Sequence, residues 1–289
     1  KVEYRGSATM RHPGPMARLM SPTEWADMII AANENPGNGN AVWLMYAQMV
    51  KKYAGQVINI NNPAMGFNGP SANPWGDMGF KDVGDFVFAD DVDWVDSLFG
   101  NAWSTSQNLS ISGGSEANKY RLSLGYMYDG SPLKYGKNNN QRYNIRLNDT
   151  WQLSKRIRLE SMIAYNRQEQ VAPTLIGEAI SVGQMPQPCL PLTSISGKPY
   201  KWGTWVSPVA RIEEGGENTL TVSAINISET LSADIAPWLD ANVNVGYNSS
   251  AAWRDMVRKT YDTYTYLDVP AGKDEMRFPY SRSTSSRTD

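Results

Sequence analysis

The chain has little of the chemistry on which most catalytic and cross-linked proteins depend. Its 289 residues include one cysteine, Cys189, and one histidine, His12. A single cysteine excludes an internal disulfide and offers no partner thiol for a metal cluster. His12 lies in "MRHPGP" with no acidic residue nearby, so it lacks the partner that positions a catalytic base. We therefore expect no enzyme activity, cofactor or metal, with His12 in a solvated loop and Cys189 packed in another.

The sequence also lacks long apolar runs and an excess of basic charge. It has no stretch of about 18 apolar residues, which excludes helical membrane spans. Lysine and arginine number 27 against 29 aspartate and glutamate residues, so the net charge of −2 gives no footprint for nucleic acid. The mean hydropathy of −0.47 is still compatible with a membrane barrel, because alternating strands keep the average hydropathy low.

What the chain does contain is strict alternation of apolar and polar residues. In "NKYRLSLGYMYDG", residues 118–130, tyrosine and leucine occupy every second position from Tyr120 to Tyr128, opposite a polar set that includes Arg121 and Ser123. An average strand has only about 5–6 residues, whereas about 9–11 residues of tilted strand cross a bilayer. Tyrosines at both ends suit the aromatic girdles of a membrane barrel. The segment predicts a strand with one lipid face and one lumen face.

Similar alternation predicts seven strands in all. We place them near residues 2–9, 107–114, 118–130, 142–154, 155–167, 224–235 and 239–250. Short turns ("GGSEA", "LSKR", "APWL") alternate with long connections near 10–105, 129–141, 168–219 and from 255 onward. Short turns on one side and long loops on the other are typical of an outer-membrane barrel. A soluble sandwich has no reason to sort its loops by length. We predict an all-β fold: an antiparallel transmembrane barrel segment.

The first long connection contains helix signals. In "SPTEWADMIIAANEN", Ser21, Pro22 and Glu24 stand where an N-cap, a first-turn proline and a capping-box glutamate belong. In "NAVWLMYAQMVKKYAG", Asn40 and Gly55 flank a run of apolar residues at helical spacing. We predict a helical insertion in the first long extracellular loop.

The acidic segment "ADDVDWVDS" offers oxygen ligands of the kind that calcium prefers, in Asp90, Asp91, Asp93 and Asp96. Their spacing matches no EF-hand loop, because the glycine and the terminal glutamate of that loop are missing. A solvated acidic loop is the favoured interpretation, and no metal site is predicted.

Two groups of residues are candidates for the functional site. Loop aromatics can stack on sugars or grip peptide side chains, although packing or contact with a partner protein explains them equally well. These candidate substrate-binding residues are Trp43, Trp75, Tyr200, Trp202 and Trp205. Three arginines, Arg121, Arg146 and Arg158, share the lumen-facing parity of their strands, where they would contact either a carboxylate inside the barrel or water.

Several segments resemble the SusC/RagA-type TonB-dependent transporters of Bacteroidetes outer membranes. The resemblance is carried by Asp93-Trp94 followed by Leu98-Phe99, and then by "NLSISGGSEANKYRLSLGY" and "RYNIRLN". "SPVARIEEGGEN" and "PWLDANVNVGY" look like the next hairpin of that family, and "SPTEWADMI" fits its first long loop. The resemblance spans most of the chain.

The resemblance implies a particular domain organisation. Members of the family have an N-terminal plug and a barrel of about 22 strands. Nothing in the chain resembles the plug or the segment that TonB grips, and seven strands cannot close a barrel. Residues 1–289 are therefore expected to be the N-terminal part of the barrel domain, with long loops at about 10–105, 168–219 and 255–289.

The resemblance also implies a function. It implies TonB-dependent import of an oligosaccharide or peptide nutrient across the outer membrane of a Gram-negative cell. The implied partners are a SusD-like lipoprotein acting as a lid, the TonB complex acting through an N-terminal region, and outer-membrane lipid. The alternative is an extracellular glycan-binding or adhesion module without transport. An outer-membrane hydrolase is weaker still, because no nucleophile–base–acid set appears.

Overall fold

The computed structural model describes residues 1–14, 19–34, 41–59, 85–87, 92–183, 188–203, 205–274 and 279–289. Strands account for most of this part of the chain. In chain order they are β1 Val2–Arg11, β2 Val57–Asn59, β3 Asp85–Val87, β4 Ala102–Gly114, β5 Asn118–Gly130, β6 Asn139–Ser154, β7 Ile157–Pro173, β8 Lys201–Trp202, β9 Trp205–Val206, β10 Glu217–Ala236, β11 Leu239–Val257, β12 Tyr261–Tyr264, β13 Pro270–Asp274 and β14 Tyr280–Thr288.

Eight of these strands form one sheet, in the order β1-β4-β5-β6-β7-β10-β11-β14. Every neighbouring pair is antiparallel, so the sheet is a meander after its first strand. Consecutive strands are joined by short turns at 115–117, 155–156 and 237–238 on one side and by longer connections on the other. The predicted all-β fold and its alternation of short and long connections are confirmed.

The sheet has one strand more than the sequence predicted. We expected a long connection from residue 255 onward, but β11 continues to Val257 and β14 pairs with it from Val257–Tyr280 to Ser249–Thr288. The segment "YSRSTSSRT" carries one large apolar residue, Tyr280, so it has no period-two signal. Backbone hydrogen bonding to β11 makes it a strand, and those bonds do not depend on side-chain pattern.

The register gives the sheet one apolar and one polar face. One cross-strand row on the apolar face joins Leu109, Leu124, Ile145, Tyr165 and Ile225. A parallel row contains Ile111, Leu122, Leu147, Ile163 and Ile227. Many of these side chains are exposed, and so are the valines that continue the face on β11. Soluble monomers rarely expose so continuous an apolar surface, so this face requires an apolar environment.

The helices lie in the long connections. They are α1 Pro22–Glu34, α2 Ala41–Lys52, α3 Trp94–Leu98, α4 Ile176–Gly183 and α5 Pro208–Glu214. Ser21 and Glu24 form the predicted capping box, with the Ser21 amide donating to Glu24 Oε2 at 2.8 Å and the Glu24 amide donating to Ser21 Oγ at 3.3 Å. The helical insertion is therefore confirmed. In the described ranges, no helix has the length and apolar character to cross a membrane.

Candidate functional site

The long connections pack against one another at one end of the sheet. α3, the 131–138 loop, α4 and α5 come from three different connections, yet they share one hydrophobic cluster. Its buried members are Leu98, Leu133, Ala179, Val209 and Ile212. The Lys134 amide donates to the Leu98 carbonyl at 2.9 Å, and Lys134 Nζ donates to the Asp96 carbonyl at 2.6 Å. The loops thus form a packed layer above the strands.

A second cluster joins the helical insertion to the third long connection. Tyr46 of α2 and Cys189 are both buried, and the Tyr46 hydroxyl contacts Cys189 Sγ at 3.4 Å. Burial raises the pKa of Tyr46 well above its usual value, and the neighbouring Cys189 raises it further. The predicted packed position of Cys189 is confirmed, and His12 is exposed as predicted. The contact fixes α2 against the rest of the loop layer.

The structure packs three of the candidate aromatics into this layer, with Tyr200 buried and Trp202 and Trp205 partly buried. Tyr200 has 1% of its surface exposed, and its ring meets that of Trp205 edge-on at 6.1 Å. Trp205 also meets Trp94 edge-on, with ring centroids 5.5 Å apart. Trp202 packs against Tyr46 at 5.6 Å. These rings hold the loops together, which is the packing interpretation that the sequence left open.

Trp43 differs from the other candidate aromatics. It is 37% exposed on α2, and its ring lies 6.2 Å from that of Trp25. It is therefore the most accessible of the four candidates that the structure describes. Trp75 lies outside the described residues. Contact of any of these rings with a substrate stays a prediction.

One carboxylate of the acidic segment "ADDVDWVDS" caps a helix. Asp93 is the N-cap of α3, and its Oδ1 accepts the amides of Val95 at 3.1 Å and Asp96 at 3.0 Å. Asp90 and Asp91 lie outside the described residues. Within the ranges that the structure does describe, no group of three or more His, Cys, Asp or Glu residues could hold a metal ion.

A second carboxylate, which the sequence did not single out, joins the third and fourth long connections. Asp268 is the turn residue between β12 and β13 and has a positive φ of 64°. Its Oδ1 accepts the Ser194 hydroxyl at 2.5 Å, its Oδ2 accepts the Ser196 hydroxyl, and Lys198 Nζ lies 3.9 Å from Oδ1. The two serine hydrogen bonds lower the pKa of Asp268, and Lys198 contributes in the same direction.

The polar face of the sheet carries the other candidate group. Arg121 and Arg146 line one concave cavity of about 600 Å³, together with Arg5 and Arg142. Arg158 is not part of this cavity; its Nε lies 3.1 Å from Glu160 Oε1 on the same strand. The three predicted arginines share a face, but only two of them share a site. Arg142 has the same parity, and alternation within "QRYNIRLN" could have found it.

The centre of the cavity is a row of small and amide side chains. Gly125 pairs with Asn108 on β4 and with Asn144 on β6. A Cβ added at Gly125 would lie 3.1 Å from Asn108 Oδ1 and 3.3 Å from Asn144 Nδ2. Gly125 therefore lies at the bottom of the cavity, and the side chains of the arginines surround it.

The fold is similar to three solved transporter structures. The chain matches the RagAB peptide transporter with a TM-score of 0.62 and 17% identity, over 88% of this chain and 28% of that one. The RagAB peptide importer in its closed-closed state matches with a TM-score of 0.61 and 15% identity, over 89% of this chain and 29% of that one. Its open-open state matches with a TM-score of 0.61 and 15% identity, over 89% of this chain and 28% of that one. No protein-family model and no curated protein matches the chain.

These values define what the likeness establishes. At 15–17% identity it concerns the fold, and the chain spans under a third of the length of the solved chains it matches. The chain thus folds like a β-sheet segment of a much larger transporter chain.

Proposed function

We propose that the chain is part of an outer-membrane protein that imports an oligosaccharide or a peptide nutrient. The observation that carries this proposal is the two-faced sheet, whose apolar rows oppose rows rich in arginine and asparagine. A barrel wall between lipid and a wet lumen needs this arrangement on long antiparallel strands. The fold likeness to the RagAB transporter over 88% of the chain supports the same class.

The two ends of the sheet support an orientation in the membrane. Outer-membrane barrels have short periplasmic turns and longer extracellular loops. The turns at 115–117, 155–156 and 237–238 would therefore face the periplasm, and the packed loop layer would face the cell exterior.

The proposed partners follow from the sequence resemblance. A SusD-like lipoprotein would close over the loop layer, and the TonB complex would drive import through an N-terminal region. The names of the matched structures make peptides the first substrate class to test. The proposal contains no catalytic step in this part of the protein. The competing function is a glycan-binding or adhesion module without transport. Such a module would not need lipid in contact with the apolar face of the sheet.

Site-specific labelling of the full-length protein in native outer membrane tests the membrane topology. Single cysteines replace Leu122, Leu124, Arg121 or Ser123 in a background that lacks Cys189. We expect lipid-chain quenchers to reach probes at the two leucine positions. Probes at the other two positions should escape quenching and report water or protein. Water access at all four positions would contradict a barrel wall.

Import is measured separately. Cells that carry or lack the full-length gene are compared for uptake of labelled peptides and oligosaccharides, with a strain lacking the energising complex as control. Uptake that requires both the gene and the complex supports import. Surface binding without uptake would instead support the adhesion module.

A further inference from the structure

We infer that the apolar face of β4, β5 and β6 binds one glycolipid of the outer leaflet. Its sugar head group occupies a cavity at the long-connection end of these strands, and one acyl chain occupies a groove below that cavity. The inference rests on the proposed function, because it takes the apolar face to contact lipid and the long connections to face the cell exterior.

The cavity, here called the rim cavity, is an open notch between three strands. Trp103, Gly130 and Asn139, from β4, β5 and β6, all have the parity of the apolar face. β4 and β6 lie about 10 Å apart on either side of β5. Gly130 has no side chain to fill this space, and a Cβ there would lie 2.7 Å from the Trp103 carbonyl oxygen. The cavity of about 550 Å³ lies within the range of ligand sites, which is roughly 300–1,000 Å³.

The side chains of the rim cavity suit a sugar. Trp103 is 60% exposed, and its ring offers a flat apolar surface against which the C–H groups of a sugar pack. Asn139 Oδ1 accepts a hydrogen bond from Gln141 Nε2 at 3.3 Å. Within the described residues, the Asn139 side-chain N–H groups, the Tyr128 hydroxyl and the Lys137 ammonium group have no protein partner, so they are available to sugar hydroxyls. Lys137 carries the one charge among the described residues that line the cavity, which favours a head group with an anionic substituent such as phosphate.

A second depression, here called the apolar groove, lies below the rim cavity on the same face and has a volume of about 350 Å³. Its apolar-face side chains include Tyr4, Leu109, Leu124, Tyr126, Tyr143 and Ile145. The polar groups at its edge are satisfied within the protein. The Tyr143 hydroxyl donates to Gln141 Oε1 at 3.0 Å, and the Tyr4 hydroxyl donates to Gln107 Oε1. The groove therefore offers carbon surface to a ligand, which fits an acyl chain.

The order of the two sites matches a lipid of the outer leaflet. Tyr128 lines the rim cavity and Tyr126 lines the apolar groove, and these residues are neighbours on one face of β5, about 7 Å apart. The rim cavity lies towards the connection at 131–138, and the groove lies towards the short turn at 115–117. A lipid with its head group at the exterior and its chains in the bilayer runs in this direction, whereas a lipid of the opposite leaflet runs the other way. One amphiphile with a sugar head group therefore fits both sites.

An aromatic girdle is the alternative explanation of an exposed Trp103, because girdles flank the apolar band of membrane barrels. Trp253 on β11 provides the comparison. It pairs with Thr221 and Thr284 on the same face of the sheet, but it lines neither the rim cavity nor the apolar groove. A girdle function treats the two tryptophans alike, whereas a glycolipid site requires Trp103 alone.

The test measures lipid binding to the full-length protein in a polyoxyethylene detergent, which has no sugar head group. The probe is a synthetic diacyl glucosamine disaccharide that carries one phosphate. The comparison ligands are phosphatidylglycerol with the same acyl chains and the same disaccharide phosphate without acyl chains. Native mass spectrometry gives the dissociation constant of each ligand.

Two variants each alter one site, and each has a matched control. Trp103→Ala removes the ring from the rim cavity, and its control is Trp253→Ala. Leu124→Trp fills the apolar groove while keeping the face apolar, so it does not depend on the loss of a large side chain. Its control is Val245→Trp, at a position that is 64% exposed on the same face and lines neither site.

We expect Trp103→Ala and Leu124→Trp each to weaken binding of the glycolipid probe by about tenfold or more, with both controls unchanged. Wild-type protein should bind phosphatidylglycerol and the free disaccharide at least about tenfold more weakly than the probe. Trp103→Ala should leave the affinity for phosphatidylglycerol unchanged, because that lipid has no sugar to pack on the ring.

Three results would overturn the inference. Equal losses in Trp103→Ala and Trp253→Ala would make Trp103 a girdle residue. Equal affinity for phosphatidylglycerol and the probe would mean that the face takes acyl chains whatever their head group. Equal affinity for the free disaccharide would make the rim cavity a sugar site that needs no lipid. If lipid quenchers reach position 122 but no glycolipid binds, this inference fails alone; if quenchers do not reach position 122, the proposed function fails.

Discussion

Trp151 donates its indole N–H to Asp149 Oδ2 at 2.5 Å, on the face of the sheet that carries the apolar rows. Asn118, which pairs with Trp151 across β5 and β6, donates its amide to the other oxygen, Oδ1, at 2.9 Å. Both carboxylate oxygens therefore have partners, which is what a polar group beside apolar rows requires. Asp149 links β6 to β5 close to the short turns at 115–117 and 155–156.

We predict that Asp149→Ala destabilises the full-length protein by about 1–3 kcal/mol, because it leaves the donors of Trp151 and Asn118 without an acceptor. Asp149→Asn should cost less, since its one oxygen can still accept one of them. The measurement is the free energy of unfolding in urea, in lipid or detergent. Thr150→Ala, on the opposite face, is the control and should stay within about 0.5 kcal/mol. Equal effects of Asp149→Ala and Thr150→Ala would refute this link.

The hairpin of β12 and β13 provides a pH-dependent prediction. The pKa of Asp268 is lowered in the folded protein by the Ser194 and Ser196 hydrogen bonds. A lowered pKa means that the ionised form stabilises the fold above the ordinary pKa of 3.8, and that this contribution is lost as the pH falls through the folded value. Acid should therefore release the hairpin from the 194–198 turn.

The Asp268→Asn variant tests the same contact at neutral pH. Asparagine tolerates the positive φ of this position, so the variant removes the charge without straining the turn. We expect faster hydrogen exchange of the Ile195 amide, which donates to the Tyr266 carbonyl at 2.9 Å. The control is Asp262→Asn, whose exposed carboxylate lies 4.0 Å from Lys273 Nζ. An unchanged exchange rate in Asp268→Asn would show that the carboxylate does not hold the two connections together.

Cys189 should be inert towards maleimide in the folded protein and fully reactive after denaturation. Its side chain has no exposed surface and packs against Tyr46 within the loop layer. Ile195→Cys, at a position that is 64% exposed, is the positive control for reagent access. Mass spectrometry of both proteins before and after denaturation gives the labelled fraction. Labelling of native Cys189 at the rate of the control would mean that the loop layer opens readily.

Local pattern predicted most of the sheet, because Leu122 and Leu124 can share a face only in an extended chain whose register is regular. It failed at β14, where serine and threonine occupy both faces and pairing with β11 decides the structure. For the loop aromatics, the sequence indicated which residue types matter, but it did not indicate whether their rings are buried or exposed. Nothing local to Tyr200 or Trp205 indicates that they pack into the loop layer, because their neighbours there include residues from distant parts of the chain, such as Trp94. The hydrogen bonds of Asp268 to Ser194 and Ser196 join residues more than 70 positions apart, so no local sequence pattern predicts them either.

Gly136 lies where the second long connection meets the third, and its replacement should loosen the loop layer. It has a positive φ of 67°, and a Cβ there would lie 2.8 Å from Ile212 Cγ2 and 3.0 Å from Pro173 Cγ. Gly136→Ala therefore adds a steric clash to the backbone cost of a positive φ, which is about 1–2 kcal/mol for a non-glycine residue.

Gly197→Ala separates the steric contribution from the backbone contribution to the loss of stability. Gly197 has a φ of 79°, but a Cβ there would meet nothing within 4 Å, so this variant pays the backbone cost alone. We expect Gly136→Ala to lower the thermal stability of the full-length protein further than Gly197→Ala, and to raise hydrogen exchange in both α5 and the 131–138 loop. Equal losses in the two variants would mean that Ile212 and Pro173 yield freely. The loop layer would then be too loosely packed to present a rigid surface to the proposed lipoprotein partner.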